Sequence, residues 1–342
     1  MNRVTIGSAI DRALDLLHRN QKASGEFPCY RVTDVPTPRR DYDSVPFPTA
    51  LIASSLAFCD SPLAARMIAQ ACVMLRSEME RFGVWRFWPP PRPECVALVP
   101  DLDDTAVISS VLCRNGVKIP DNRGIFMANR NRAGLFYTWI MPRPVLSFCP
   151  GYWWVATEDW RKPYGEIGLW KTGASPNDLD GIVNSNILAY LGAGPATKPI
   201  CDYLIGIFKN RQEESCDRWY QNRFIFYYSV ARNYREGISA LGVIREEMIG
   251  RIVSSSAADG MIGSGVMDTA QAACALLSLD SDVPELDAAI GYLVRTQGPG
   301  GEWPYAAYFY GAEKRVMAWG SEELTTGFCL QALCRYARRG QV

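Results

Sequence analysis

Gln21-Lys22-Ala23-Ser24-Gly25-Glu26-Phe27-Pro28, near one end of the chain, and Gln297-Gly298-Pro299-Gly300-Gly301-Glu302-Trp303-Pro304, near the other, share the pattern Gln-x-x-x-Gly-Glu-aromatic-Pro. Each follows a helical stretch: Ile6–Asn20, with Ile10, Leu14 and Leu17 on one face, and Leu286–Thr296. A glutamine at a helix end can bond backbone, a glycine permits the turn, and an aromatic can plug the gap between neighbouring helices. Two copies of the same residue types make this an internal repeat and not a chance glycine turn.

Working outward, the same plan recurs in weaker form. A loop rich in Gly, Pro and aromatics leads each time into an apolar helix of small residues. These are Pro46–Phe58, Asp104–Leu112, Asp180–Tyr190, Phe224–Tyr234, Met267–Leu279 and Glu322–Tyr336. Amphipathic stretches alternate with them: Ile6–Asn20, Pro62–Glu80, a piece within Arg123–Trp139, Thr197–Asn210, Ala240–Ser254 and Val283–Thr296. Helices apolar nearly all round are buried, and amphipathic ones face solvent on one side. Six buried helices ringed by six outer ones is an all-α, α6–α6 barrel. No strand pattern competes over a long span, although Val145–Val155 reads as extended. No linker interrupts the chain, so residues 1–342 are expected to form one domain.

Composition limits the function. The chain has 48% hydrophobic residues, and its 36 Lys and Arg balance its 36 Asp and Glu, so no basic surface argues for nucleic acid. No run approaches the roughly 18 apolar residues of a membrane span, and the first residues lack an apolar signal core. The 11 cysteines are scattered and form no C-x-x-C pair, which suits free thiols in the cytoplasm better than a disulfide framework. A homo-oligomer is compatible with the sequence. The single histidine, His18, lies on the first outer helix, so a His/Cys zinc site is not expected.

The chemistry is concentrated in Val99-Pro100-Asp101-Leu102-Asp103-Asp104-Thr105-Ala106-Val107. A proline and three carboxylates precede an apolar run, the mark of a helix mouth. Carboxyls this close resist ionising together, so at least one should hold a proton near neutral pH. The same residues also serve an ordinary capping role, since carboxylates favour the positive end of a helix.

The string Asp-x-Asp-Asp-Thr-Ala resembles the acid motif of class II terpene cyclases of the squalene–hopene and copalyl-diphosphate type. The resemblance implies that Asp103 protonates a terminal alkene or epoxide, with Asp101 and Asp104 orienting and tuning it. It implies a linear isoprenoid substrate, farnesyl-like or geranylgeranyl-like, as a diphosphate or joined to an aromatic head. The chain departs from the larger cyclases in lacking a second helical domain and a histidine to support the acid, which argues against a long triterpene. No cofactor is needed for the chemistry, and Mg²⁺ would serve only a diphosphate.

A migrating carbocation needs aromatic faces, worth about 0.5–2 kcal/mol each. The substrate-facing candidates are Trp85, Trp88, Trp153, Trp170, Tyr228, Trp303, Tyr308 and Trp319, within a wider set that includes Phe87, Tyr152, Trp154, Tyr227, Tyr305 and Phe309. About a third of this set should line a cavity, the rest plugging gaps between helices. Asp178 and Asp180, opening the third inner helix, are candidate Mg²⁺ ligands, with helix capping as the alternative. Arg39, Arg40, Arg218, Arg223, Arg232, Arg235, Lys314 and Arg315 are candidates to grip a diphosphate, most of them otherwise solvated surface. Two other functions remain open: a carbohydrate-active hydrolase or lyase with paired carboxylates, and a non-catalytic prenyl-binding barrel.

Overall fold

A computed structural model describes residues 3–33, 39–92, 98–158, 174–311 and 317–339. The elements run α1 (Arg3–Asn20), β1 (Tyr30–Thr33), β2 (Arg39–Tyr42), α2 (Pro46–Leu56), α3 (Pro62–Ser77), α4 (Leu102–Arg114), α5 (Arg123–Ala128), α6 (Pro150–Ala156), α7 (Gly181–Leu191), α8 (Lys198–Lys209) and α9 (Arg223–Arg235). A 3-10 turn (Ser239–Ile244) then leads to α10 (Arg245–Val253), α11 (Val266–Ser278), α12 (Pro284–Thr296), β3 (Ala306–Tyr310), β4 (Met317–Ser321) and α13 (Glu322–Arg339).

Helices α2, α4, α7, α9, α11 and α13 pack each on the next, and α13 returns to α2, so the inner ring closes. The composition of α2 explains its place: every residue except Ser54 is buried, so no face is left for solvent. The outer helices α1, α3, α8 and α12 bury only the apolar stripe that the sequence alternation marks. The expected helical barrel is therefore present. The third outer element is short, with α5 packed against α6.

The repeat fastens the barrel. Gln21 Nε2 donates to the carbonyl of Gly25 and, across the groove, to Met67 of α3, both at 2.9 Å. Gln297 Nε2 donates to Gly301 and to Ala9 of α1, at 3.1 and 2.9 Å. Each glutamine thus ties the end of one outer helix to the middle of the next, and Gln297 joins the last to the first. The aromatic of each copy is fully buried. Its backbone N–H donates to a threonine on the following inner helix: Phe27 to Thr49 at 3.0 Å, Trp303 to Thr326 at 3.2 Å. The same bond recurs as Trp85 to Thr105, Phe136 to Asn184 and Ile262 to Thr269, so the weaker repeats share the device without the glutamine.

Two features depart from expectation. A four-stranded antiparallel sheet in the order β2-β1-β4-β3 joins the two ends of the chain over the inner-helix N-termini. Its strands are four or five residues long, too short for a period of two to stand out. The Val145–Val155 stretch is not extended throughout: Pro150 starts helix α6, because proline fits the first helical position. Among the described residues every cysteine is a free thiol, and no helix is long and apolar enough to cross a membrane.

Gly301 tests the fastening. Its φ is +100°, and a Cβ there would run into the Arg12 carbonyl oxygen of α1. Gly116 shares a positive φ of +72° but has open space around it. Gly116→Ala should cost about 1 kcal/mol for backbone conformation alone. Gly301→Ala should cost roughly 3 kcal/mol or more, because backbone must also move. Urea unfolding of the two variants measures the difference, and equal losses would mean that the contact with α1 is unimportant.

Candidate active site

The acid motif is fixed from three sides. Asp101 caps α4, its Oδ1 accepting the Asp104 N–H at 2.7 Å. Its own N–H donates to the Trp85 carbonyl at 3.2 Å, the Leu102 N–H donates to the Thr138 carbonyl at 2.8 Å, and the Ile140 N–H donates to the Pro100 carbonyl at 3.0 Å. Residues 85, 101 and 139 thus run side by side as bridged extended backbone. The helix mouth is held where Asp101, Asp103 and Asp104 are all buried yet border one cavity.

The three carboxyls differ in their partners. Asp103 Oδ1 accepts from Asn186 Nδ2 of α7 at 2.7 Å, and Asp103 Oδ2 accepts from the Tyr220 hydroxyl. Asn186 Oδ1 in turn accepts from Arg232 Nη2 of α9 at 2.7 Å. Burial raises the Asp103 pKa, while Tyr220, Asn186 and the Arg232 charge oppose the rise. Asp101 is pushed up to about 8, by burial and then by the Asp103 charge. Asp104 is pushed well above the carboxylate range by burial and by Asp101 and Asp103, and its Oδ2 is buried without a partner. Of the three, Asp103 is the carboxyl whose conjugate base is met by two side-chain donors. These donors favour its ionised form, against a desolvation that favours the protonated one.

The cavity volume is about 90 Å³. Its wall is almost wholly apolar. Of the aromatic candidates, Trp88, Trp319, Phe87 and Phe309 line it. Phe47, Trp139, Trp219 and Tyr220 complete the wall and were not singled out from the sequence. Nothing local marks them, since each is one aromatic among many and only the closed ring turns it inward. Asn186 and Tyr220 were missed for the same reason: 83 and 117 residues separate them from Asp103. Arg232, singled out as a diphosphate ligand, instead bonds Asn186.

Several expected substrate contacts have other work. Trp85 and Trp303 are fully buried plugs, each donating its indole N–H at 2.8 Å to the last turn of an outer helix, at Leu75 and Leu293. Trp153 packs against Tyr152 on α6 and bonds the Ser147 carbonyl. Tyr228 bonds Gln331 between inner helices. Tyr308 lies behind the wall, 5.6 Å from the Tyr220 ring and stacked on Phe328 at 5.3 Å. None of these five lines the cavity. Trp170, Lys314 and Arg315 lie outside the described residues.

Asp178 and Asp180 are engaged within the chain. Asp180 accepts from Thr138 Oγ1 at 2.6 Å and from the Arg218 N–H at 3.0 Å; burial pushes it up to about 6. Asp178 accepts the Ser175 N–H at 2.9 Å and lies 3.6 Å from the Arg218 guanidinium. Among the described residues no cluster of three or more His, Cys, Asp or Glu is spaced to hold a metal. These bonds support loop closure around Asp217, which accepts the Ile182, Trp219 and Tyr220 N–H groups and so positions Tyr220.

The raised carboxyls set the pH dependence. Asp101 and Asp104 keep protons in the fold at pH values where the unfolded chain, with carboxyl pKa near 4, has lost them. The folded state binds more protons, so their contribution is full below about pH 4 and falls as pH rises, that of Asp101 levelling off above about 8. Wild-type protein should therefore lose melting temperature between about pH 5 and 8. Asp104→Asn should lose less and should melt above wild type at about pH 8. Thermal melts at matched ionic strength check this; a variant that melts lower than wild type at both ends would contradict it.

The sequence matches no family profile and no curated protein. Solved structures are similar over nearly its whole length. A variant of the type II terpene cyclase MstE from Scytonema, in complex with its substrate geranylgeranyl dihydroxybenzoate, aligns over 98% of both chains with a TM-score of 0.73 and 14% identity. A protein from Actinoplanes aligns over 97% of this chain and 99% of its own, with a TM-score of 0.71 and 18% identity. An unsaturated glucuronyl hydrolase specific for heparin is more distant, with a TM-score of 0.53 and 12% identity. This chain has the α/α-barrel fold, in the form that a type II terpene cyclase also has.

Proposed function

We propose that this chain is a class II meroterpenoid cyclase, which cyclises a geranylgeranyl-like chain joined to an aromatic head, with the whole reaction housed in one barrel. The observation that carries this is Asp103, buried at the edge of an apolar, aromatic-walled cavity and met by Asn186 and Tyr220. The likeness to MstE with its bound geranylgeranyl dihydroxybenzoate adds support for the substrate class.

In this reaction the Asp103 proton forms a C–H bond at the less substituted carbon of the terminal alkene, using its π electrons, or an O–H bond on an epoxide as the epoxide C–O bond breaks, leaving a tertiary cation. Asn186 and Tyr220 stabilise the carboxylate left behind, and Asp101 and Asp104, still protonated, add no charge to compete with it. Successive internal alkenes attack the cation, each closing a ring. The final proton leaves to a base, so an alkene substrate gives an isomeric product. The apolar wall excludes water, which would quench the cation early. No step draws on a metal; Mg²⁺ would assist only by neutralising a diphosphate head.

A carbohydrate substrate fits less well, despite the shared fold of the glucuronyl hydrolase. The cavity offers an apolar wall where a sugar needs hydrogen-bonding groups, and its carboxyls crowd one helix mouth instead of facing across the scissile bond.

Incubation with geranylgeranyl dihydroxybenzoate, geranylgeranyl diphosphate, farnesyl diphosphate and squalene, followed by product analysis, tests the proposal. Cyclic product is expected from the first and should persist in chelator. Asp103→Asn should lower its formation by about 10²–10⁴-fold or more while staying folded, because water cannot replace the acid and Asn also suits a helix start. Asn186→Ala and Tyr220→Phe should lower kcat by smaller factors with KM little changed. If folded Asp103→Asn turns over within a few-fold of wild type, Asp103 is not the acid.

A further inference from the structure

Four indoles line the cavity, and their ring N–H groups are treated in two ways. The Nε1 atoms of Trp139 and Trp219 are buried with no partner. Those of Trp88 and Trp319 both reach Asp43: Trp88 Nε1 donates to both carboxylate oxygens at 3.1 Å, and Trp319 Nε1 donates to Asp43 Oδ2 at 2.8 Å. Asp43 lies between β2 and α2, anchored by its own N–H on the Cys29 carbonyl at 2.9 Å. It gathers one indole from the loop after α3 and another from β4, 231 residues later in sequence.

The two indoles form one wall with Phe87 and Phe309. Phe87 meets Phe309 and Trp319 edge-on at 5.4 Å each and Trp88 at 4.9 Å, while Phe309 and Trp319 stack at 5.9 Å. All four rings line the cavity, and Asp43 does not. That position matters chemically. A carboxylate facing a carbocation would trap it as an ester or take its proton. Behind the indoles it can do neither, yet a charge-assisted bond to each N–H pushes electron density onto the ring faces.

We propose that Asp43 is a positioning residue of the cyclase reaction: it locks Trp88 and Trp319 into one wall and makes that wall more attractive to a cation. The wall would then hold positive charge as it migrates away from Asp103, favouring full cyclisation over early loss of a proton. The proposal rests on the cyclase function for its catalytic consequence, but its physical core is testable by binding alone.

The test compares two probes of the same shape, N,N-dimethyldodecylammonium as a cation and 2-methyltetradecane as its neutral counterpart, with Kd read from tryptophan emission. Asp43→Asn should weaken the ammonium about three- to tenfold, in keeping with one charge removed from a partly buried site, and leave the hydrocarbon within about twofold. Asp43→Glu should restore part of the selective affinity. With geranylgeranyl dihydroxybenzoate, Asp43→Asn should lower kcat with little change in KM and shift products towards partly cyclised ones. Equal losses for both probes, or no loss for the ammonium, overturn the proposal. If Asp43→Asn fails to fold, Trp88→Phe keeps a ring and removes one N–H link, and should show the same selective loss in smaller measure. A wild-type protein that cyclises no prenyl substrate counts against the cyclase function, while the two probes still decide the role of Asp43.

Discussion

Desolvation of three carboxyls at one helix mouth is the constraint on which the site depends. Ionised, Asp101, Asp103 and Asp104 would repel one another while buried beside an apolar wall, so the fold favours their protonated forms. That preference costs stability at neutral pH and has to be offset by the rest of the barrel. The offset is visible in the backbone bonds that hold residues 85, 101 and 139 together and in the inner ring that packs around α4. A site strained in this way suits chemistry that needs a held proton and a dry surrounding.

The polar partners of that site are sparse and specific. Asn186 and Tyr220 each meet one oxygen of Asp103, and each is placed by a further contact, Asn186 by Arg232 and Tyr220 by the Asp217 turn. Asp217 in turn bonds the start of α7 through the Ile182 N–H. One acid is therefore tuned by groups on α7, α9 and the loop between α8 and α9. Movement of Arg232 or of the Asp217 turn would alter the Asp103 carboxyl without touching it.

The small sheet plays a different part. By pairing β1 with β4 it joins the N-terminal and C-terminal ends of the chain and lays Phe309, Met317 and Trp319 over the cavity. The outer helices are joined around the same seam by Gln297, from the last repeat to α1. Closure of the barrel and closure of the cavity thus use the same two ends of the chain, at separate layers.

The sequence by itself determined the barrel and the acid motif. Both are local signals: helix periods, glycine turns and three carboxylates at a helix start are written within a few residues of one another. It also marked Gln21 and Gln297, whose bonds to neighbouring helices match the chemistry read from their position. What it did not determine is which aromatic faces inward. Trp85 and Trp88 are three residues apart, yet one plugs a groove and the other lines the cavity, because one indole N–H meets the Leu75 carbonyl and the other meets Asp43. The partners of Asp103 were equally hidden, since Asn186 and Tyr220 reach it only through closure of the ring. Short-range periodicity decides elements and their burial; only long-range packing decides which side chains meet across the barrel.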